Sequence, residues 1–429
     1  MEKITMLSPC HFGLEAVLKK EIESLGLTVV KTEDGRVFYS GEMKDICRAN
    51  IFLRTAERVL LVVGEFDADS FEALFDKTED LPWEDYIPYD GNVWVTKANS
   101  IKSKLSATVP VQSVMKKAIA KRLCDHYGIS ALPETGADYP LRVTLIKDHV
   151  VVALDTTGEG LHKRGYRQLT TKAPIEETLA AALIMLTPWK YDRILVDPFC
   201  GSGTFAIEAA LMGLDIAPGI SREFTSEKWS NLINRRMWFH AREEAEKRKK
   251  DAQGRTLSIY ASDIDPKVLS LAKKNAEFAG VLKHIHFSCA DAAELKPKGE
   301  YGFIITNPPY GVRLEDIENA KRIYSGFAGR FNDLKTWSAY IITPIEETES
   351  LTGRKADKKR KVYNGMLKTD FYAFLGKKPG KDEIIKEAEK NMRPRPKAEK
   401  QKKQDETAIK EPASKHLTNI SKRKFTTSK

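Results

Sequence analysis

Cysteine is scarce in this chain of 429 residues, and its five copies are scattered: Cys10, Cys47, Cys124, Cys200 and Cys289 make no CxxC pair. That argues against a zinc site or a disulfide scaffold, so no metal is expected. Long apolar runs are missing too. None reaches the roughly 18 residues of a membrane helix. The N-terminus MEKITMLSPCHFGLEAVLKKE carries acids early and has no long apolar core, unlike a signal peptide. These absences lead to the expectation of a cytoplasmic protein with no membrane partner. Neither GxGxxG nor GxxxxGKS occurs, which argues against a dinucleotide fingerprint and a P-loop. A strong charge excess is also lacking over most of the chain. The formal net charge is +10, but residues 381–429 hold 15 Lys and Arg against 8 Asp and Glu, so +7 of it sits there. Any polyanion-binding face in the remainder has to be a local patch.

With 41% hydrophobic residues the chain can fill proper cores, and its length suggests two or three domains. Residues 1–155 alternate short strands and amphipathic helices. LTVVKTEDGRVFYSG reads as a hairpin turning at Asp34-Gly35, and YPLRVTLIKDHVVVALDTTG as another around Lys147–His149. GEGLHKRGYRQLTTKAP, with His162, Lys163, Arg164, Arg167 and Lys172, reads as a basic connector, and Pro174 as the first-turn proline of the next helix. Beyond Arg193 the pattern changes to strand, glycine turn, helix, strand. The near-continuous apolar strands RILVDPF, LSIYASDI, HIHFSCAD, YGFIITNP and WSAYIITP predict a parallel sheet covered on both faces, closed by an antiparallel pair within RKVYNGMLKTDFYAFLG. Residues 215–256 form an insertion rich in Trp and Arg. The Lys/Pro/Gln-rich tail after Gly380 is expected to be disordered.

LVDPFCGSGTFAIEAA, residues 195–210, is the strongest local signal. A strand ends at Asp197, the stretch Cys200-Gly201-Ser202-Gly203 turns sharply, and a helix begins at Thr204. Gly201 and Gly203 carry no Cβ to hold a ligand off the backbone. The exposed N–H groups and helix N-terminus favour a negatively charged ligand group. The following strands end in Asp263 and Asp291, at the edge of an open α/β sheet where ligands bind. Asp263 is placed to bond two ribose hydroxyls and Asp291 to take an adenine amino group. Asp265 is the expected N-cap of the helix opened by Pro266.

The fourth strand ends in Asn307-Pro308-Pro309-Tyr310. The Asn oxygen and the Pro308 carbonyl can accept both hydrogens of one exocyclic amine. Pro309 stiffens the loop, and the Tyr310 ring can stack on a planar base. Two acceptors on an aromatic NH₂ draw its hydrogens toward a tetrahedral arrangement and free its lone pair for alkylation. This chemistry does not separate guanine from adenine.

DPFCGSGT followed by NPPY resembles the class I S-adenosylmethionine-dependent methyltransferases that modify base amines. Together with GLHKRGYR (160–167), APIEETLAAAL and IAPGISREF (216–224), the chain is similar to the THUMP-domain rRNA guanine-N2 methyltransferases, the bacterial 23S large-subunit group. The resemblance implies a ferredoxin-like part (1–55), a THUMP RNA-binding domain (56–156), the connector (157–173), a Rossmann-like seven-stranded methyltransferase domain (174–380) and the tail (381–429). It implies S-adenosylmethionine as cofactor. Asp197 and Cys200–Gly203 would hold its methionine end, and Asn307–Tyr310 would surround the target base. It implies RNA as partner, 23S rRNA or a precursor particle; no obligate protein partner is inferred. Lys104, Lys116, Lys117, Lys121 and Arg122 fall in the stretch matching THUMP and are the expected phosphate-gripping patch, joined by Lys163, Arg164 and Arg167 of the connector. Larger members carry a second catalytic domain; with no second glycine loop here, a single methylation is expected. Three alternatives stand beside this reading: an adenine-N6 methyltransferase on DNA or RNA, a tRNA guanine-N2 methyltransferase, and a non-catalytic RNA-binding protein. The last is disfavoured by the intact Asp197, Gly201, Gly203, Asn307 and Tyr310.

Overall fold

The structure is a computed structural model that describes residues 3–168, 174–310, 314–378 and 380. The expected tail and Lys172 lie outside the described residues. Seven strands come from the first part of the chain: β1 (Ile4–Pro9), β2 (Thr28–Glu33), β3 (Arg36–Gly41), β4 (Leu60–Asp67), β5 (Asn92–Ile101), β6 (Asp138–Ile146) and β7 (His149–Asp155). They form one sheet in the order β2-β3-β1-β4-β7-β6-β5. The two expected modules therefore share a sheet: β4 pairs antiparallel with β1 on one side and with β7 on the other. The β2–β3 hairpin turns at Gly35, whose φ of 73° is the left-handed conformation such a tight turn needs.

The second sheet is built from β8 (Leu195–Asp197), β9 (Ile259–Asp263), β10 (Ile285–Cys289), β11 (Phe303–Thr306), β12 (Ser338–Thr343), β13 (Lys358–Asn364) and β14 (Leu367–Phe374). Its order is β10-β9-β8-β11-β12-β14-β13. The first five run parallel, and β14 is antiparallel to both its neighbours. The chain moves outward from β8 through β9 to β10, then returns to the other side of β8 with β11. The order reverses there, and a crevice opens at the carboxyl ends of β8 and β11. Asp197 and Asn307 both lie at that crevice.

The helix expected to open at Pro174 instead runs Glu177–Met185, with Glu176 at the N-cap position, which leaves Pro174 and Ile175 as part of the crevice wall. The insertion has the larger consequence for architecture. It forms a short 3-10 turn (Thr225–Lys228) and a helix (Arg235–Asp251), and it packs against the first sheet rather than the second. Trp229 stacks on Tyr139 at 5.0 Å, its Nε1 donates to the Asp138 carbonyl at 2.7 Å, and Arg48 bonds Glu244 at 2.9 Å. Trp229, Ile233 and Trp238 belong to the N-terminal core, while Leu14 and Val17 from the N-terminal helix Glu15–Ser24 and its approach belong to the catalytic core. Each half has placed side chains in the other's interior.

Candidate active site

Four loops, following β8, β9, β10 and β11, converge on a cleft of about 470 Å³. The first follows β8. Pro198 cannot donate to a ladder, so the strand stops at Asp197. Gly201 and Gly203 then take φ of 53° and 86°, and a helix runs Thr204–Gly213. The two glycines have different reasons. A Cβ on Gly201 would meet nothing within 4 Å, so its face is open to the cleft. A Cβ on Gly203 would sit 3.2 Å from that of Ala272, so its role is to let the helix Pro266–Phe278 pack close. Asn275 of that helix donates to the Ser202 carbonyl at 3.2 Å and fixes the buried turn.

Asp263, ending β9, ties this loop to its own. It accepts from the Gly201 N–H and from the Asp265 N–H, both at 3.0 Å. Asp265 caps the next helix through the Lys267 N–H at 2.8 Å, as its position predicts. Asp291 lines the cleft and also caps a short turn, accepting from Ala293 at 2.8 Å, which leaves its second oxygen for a ligand. Asp197 is buried; both the Thr306 hydroxyl, at 2.6 Å, and the Phe199 N–H, at 3.2 Å, donate to its Oδ1. Burial outweighs those bonds and pushes its carboxyl up to about 7. Burial also drives the Cys200 thiol well above its ordinary value, so it has no nucleophile's character.

Asn307, Pro308, Pro309 and Tyr310 form the facing wall. Asn307 Oδ1 is buried and has no hydrogen-bond partner among the described residues. A buried acceptor left unpaired carries its full desolvation cost, so a site that keeps one is built for a donor that arrives with a ligand. Tyr310 is half-buried beside it, its hydroxyl 3.5 Å from Asn364 of β13. Thr306 is the residue that sequence reasoning missed. Its bond to Asp197 locks the end of β11 to the end of β8 and so holds the two loops in register. Phe199, Ile264 and Ile323 supply apolar walls, and Asp197, Asp263 and Asp291 are the lining's charged groups, with no Lys or Arg among the described lining residues. Three carboxylates without a cation suit a ligand carrying positive charge and a ribose, not a nucleotide phosphate.

The basic residues expected on RNA are placed otherwise. Arg164 is buried; its Nε lies 3.5 Å from the buried Glu208, and its other nitrogens bond the carbonyls of Leu161 and Arg54. Arg167 reaches inward to the Thr204 hydroxyl at 2.8 Å and the Ile175 carbonyl at 2.7 Å, and pairs with Glu177. Both are corrected: Arg164 is buried against the cofactor-loop helix through Glu208, and Arg167 is tied to Thr204, Ile175 and Glu177 at the crevice wall, so neither is displayed as a free surface cation. Lys163 is exposed, paired with Glu159. In the THUMP patch, Lys104 faces Asp69 at 2.7 Å, Lys116 faces Glu134 at 3.0 Å, Arg122 faces Glu84 at 2.5 Å, and Lys121 sits between Glu79 and Asp125. Lys117 has no ion pair among the described residues. The helix Thr108–Tyr127 thus meets as many acids as it offers cations here, and its field is largely cancelled.

Family models match three consecutive segments: an RlmL ferredoxin-like domain over residues 5–60, a THUMP domain over 68–155, and an RMKL-like methyltransferase domain over 164–373. YpsC of Bacillus subtilis (strain 168), whose name places it provisionally among RNA methyltransferases, is 44% identical over 379 residues, covering 88% of this chain and 97% of its own. The ribosomal RNA large subunit methyltransferase K/L of Cellvibrio japonicus (strain Ueda107) is 33% identical over 381 residues, 85% of this chain. The chain spans about half the length of such K/L relatives, 50% in that case. Among solved structures, a possible methylase of Clostridium difficile 630 superposes with TM-score 0.86 at 48% identity, over 89% of this chain and 100% of its own. A methyltransferase candidate crystallised with S-adenosylhomocysteine superposes with TM-score 0.83 at 40% identity, over 89% and 100%. With its catalytic cleft, its ferredoxin-like and THUMP segments and these relatives, the chain belongs to the RMKL-like methyltransferase family and carries an S-adenosylmethionine-dependent catalytic domain.

Proposed function

We propose that the protein methylates the exocyclic N2 amine of a guanine in large-subunit ribosomal RNA. The observation that carries the chemistry is the orphaned Oδ1 of Asn307, a buried acceptor at the carboxyl edge of the sheet with a half-buried aromatic ring three residues on. S-adenosylmethionine supplies an electrophilic methyl group, and Asp197, the Cys200–Gly203 turn, Asp263 and Asp291 are the residues to hold it. Asn307 Oδ1 and the Pro308 carbonyl accept the two hydrogens of the amine. The lone pair, withdrawn from the ring, then points into the cleft. Pro308 has no N–H to compete, and Pro309 keeps the carbonyl from turning away. Tyr310 stacks on the base once it leaves its helix. The choice of ribosomal RNA rests on the names of the K/L relatives and on the THUMP segment. Nucleoside mass spectrometry of 23S rRNA and tRNA from a deletion strain tests it. Loss of N2-methylguanosine from 23S rRNA is the expected result. Loss of N6-methyladenosine, or of N2-methylguanosine from tRNA alone, overturns it.

Asp197 gives this reading a pH signature. In the free protein its carboxyl titrates near 7, raised by burial. A cofactor ammonium beside it favours the carboxylate, so the bound value is lower than the free one and binding expels a proton in the window between them. Affinity for S-adenosylhomocysteine should therefore rise with pH up to about 7 and level off above it. Calorimetry at pH 6 and pH 8, in buffers of different ionisation enthalpy, measures both the affinity and the proton. Equal affinity with no proton released would move the ammonium elsewhere.

A further inference from the structure

The THUMP cations are matched by acids and the connector arginines are buried, yet an RNA methyltransferase needs a cationic path to its cleft. The structure places one on the β13–β14 hairpin. β13 opens with Lys358, Lys359, Arg360 and Lys361 and holds no acid. All four are exposed. Lys359 is held by Asp370 at 3.2 Å, and Arg360 donates to the Gly13 carbonyl at 2.8 Å. Lys358, Lys361 and Lys368 are exposed and have no ion pair among the described residues. Tyr363 faces Lys368 across the ladder, and Lys361 lies two residues before Tyr363, so all three share one face of the hairpin.

The end of that hairpin is next to the chemistry. Asn364, the last residue of β13 and one position on from Tyr363, so on the opposite face, lies 3.5 Å from the Tyr310 hydroxyl. The lysine face itself meets the N-terminal module, where Phe12 sets its ring edge-on to Tyr363 with centroids 6.2 Å apart. Phe12 is 50% exposed and Met366, at the turn, 100%. Charges on an edge strand guard against unwanted pairing. That purpose accounts for the lysines but not for the exposed Phe12 ring set on the half-buried Tyr363, nor for the hairpin's end lying beside the target-base loop. Cations beside an exposed ring suit a single strand of nucleic acid: the former meet phosphates, the latter a base.

We propose that this hairpin face docks the single-stranded RNA flanking the target base, with Lys361 and Lys368 on its phosphates and Phe12, set on Tyr363, as a stacking platform. The proposal rests on the RNA reading above. It is tested on the full chain with a fluorescein-labelled single-stranded oligoribonucleotide of mixed sequence, titrated across a salt series. Lys361→Ala with Lys368→Ala should reduce the slope of log affinity against log salt by about 0.7 for each phosphate left without its lysine. In methyl transfer to rRNA from the deletion strain, the pair should raise KM with kcat unchanged. Phe12→Ala should weaken binding by about fivefold to a hundredfold at an unchanged slope. S-adenosylhomocysteine affinity, equal to wild type in every variant, certifies the fold. Wild-type slope and affinity in both variants would overturn the hairpin as the dock while leaving the RNA reading standing. A wild-type protein that neither binds the oligonucleotide nor methylates that rRNA would overturn both.

Discussion

Asn307→Ala should leave the protein folded, leave S-adenosylhomocysteine affinity where it was, and cut methyl transfer by about a hundredfold to a thousandfold. That range is the usual cost of removing one preorganised group that meets charge developing in a transition state. The amide oxygen's bond to the amine strengthens as the nitrogen pyramidalises and gains positive charge, so its loss falls on turnover rather than on ground-state affinity. The structure adds a second signature. In the free protein Oδ1 is already buried without a partner among the described residues, so the substitution removes an uncompensated desolvation cost. Thermal stability should hold or rise slightly, where a structural asparagine would lose it. Single-turnover transfer at saturating RNA, set beside a melting curve, reads both. Transfer within a few-fold of wild type would return the NPPY loop to the status of a turn.

Arg164→Ala carries the largest expected effect on stability. Its side chain is 2% exposed and that of Glu208 is 0% exposed. Removing the cation strands a buried carboxylate, a change that typically costs about 3–5 kcal/mol. Lys163→Ala, one residue earlier on an exposed side chain, should cost within about 0.5 kcal/mol. Urea unfolding of the two variants makes the comparison. Equal midpoints would mean that Arg164 is not the brace its surroundings describe. The reverse pattern, an intact fold with weakened RNA binding in Arg164→Ala, would restore the phosphate-binding role that the connector's sequence suggested.

Most of the site was legible because its signals are local. Within residues 195–210 a strand end, two glycines and a helix start follow one another, and each has a physical reason that needs no distant partner. The same holds for Asn307–Tyr310, and for Asp265 as a cap. What could not be read was pairing over distance. Arg164 and Lys163 look alike in the chain; Glu208, which takes one and not the other, is 44 residues from Arg164. The THUMP lysines look like a patch until Asp69, Glu79, Glu84 and Glu134 arrive from other elements. Thr306 reads as one more strand residue, since its bond to Asp197 spans two sheet neighbours that are 109 positions apart. Gly201 and Gly203 show the finer limit. Both are required, but only the packing against Ala272 tells the structural one from the one that faces the cleft.

The exchange of side chains between the two halves limits how they can move against one another. With Leu14 and Val17 in the catalytic interior, and Trp229 and Trp238 in the N-terminal one, swinging one half against the other would expose aromatic core to water. The two halves therefore hold one arrangement, and the Asn307 crevice keeps a fixed place relative to the first sheet.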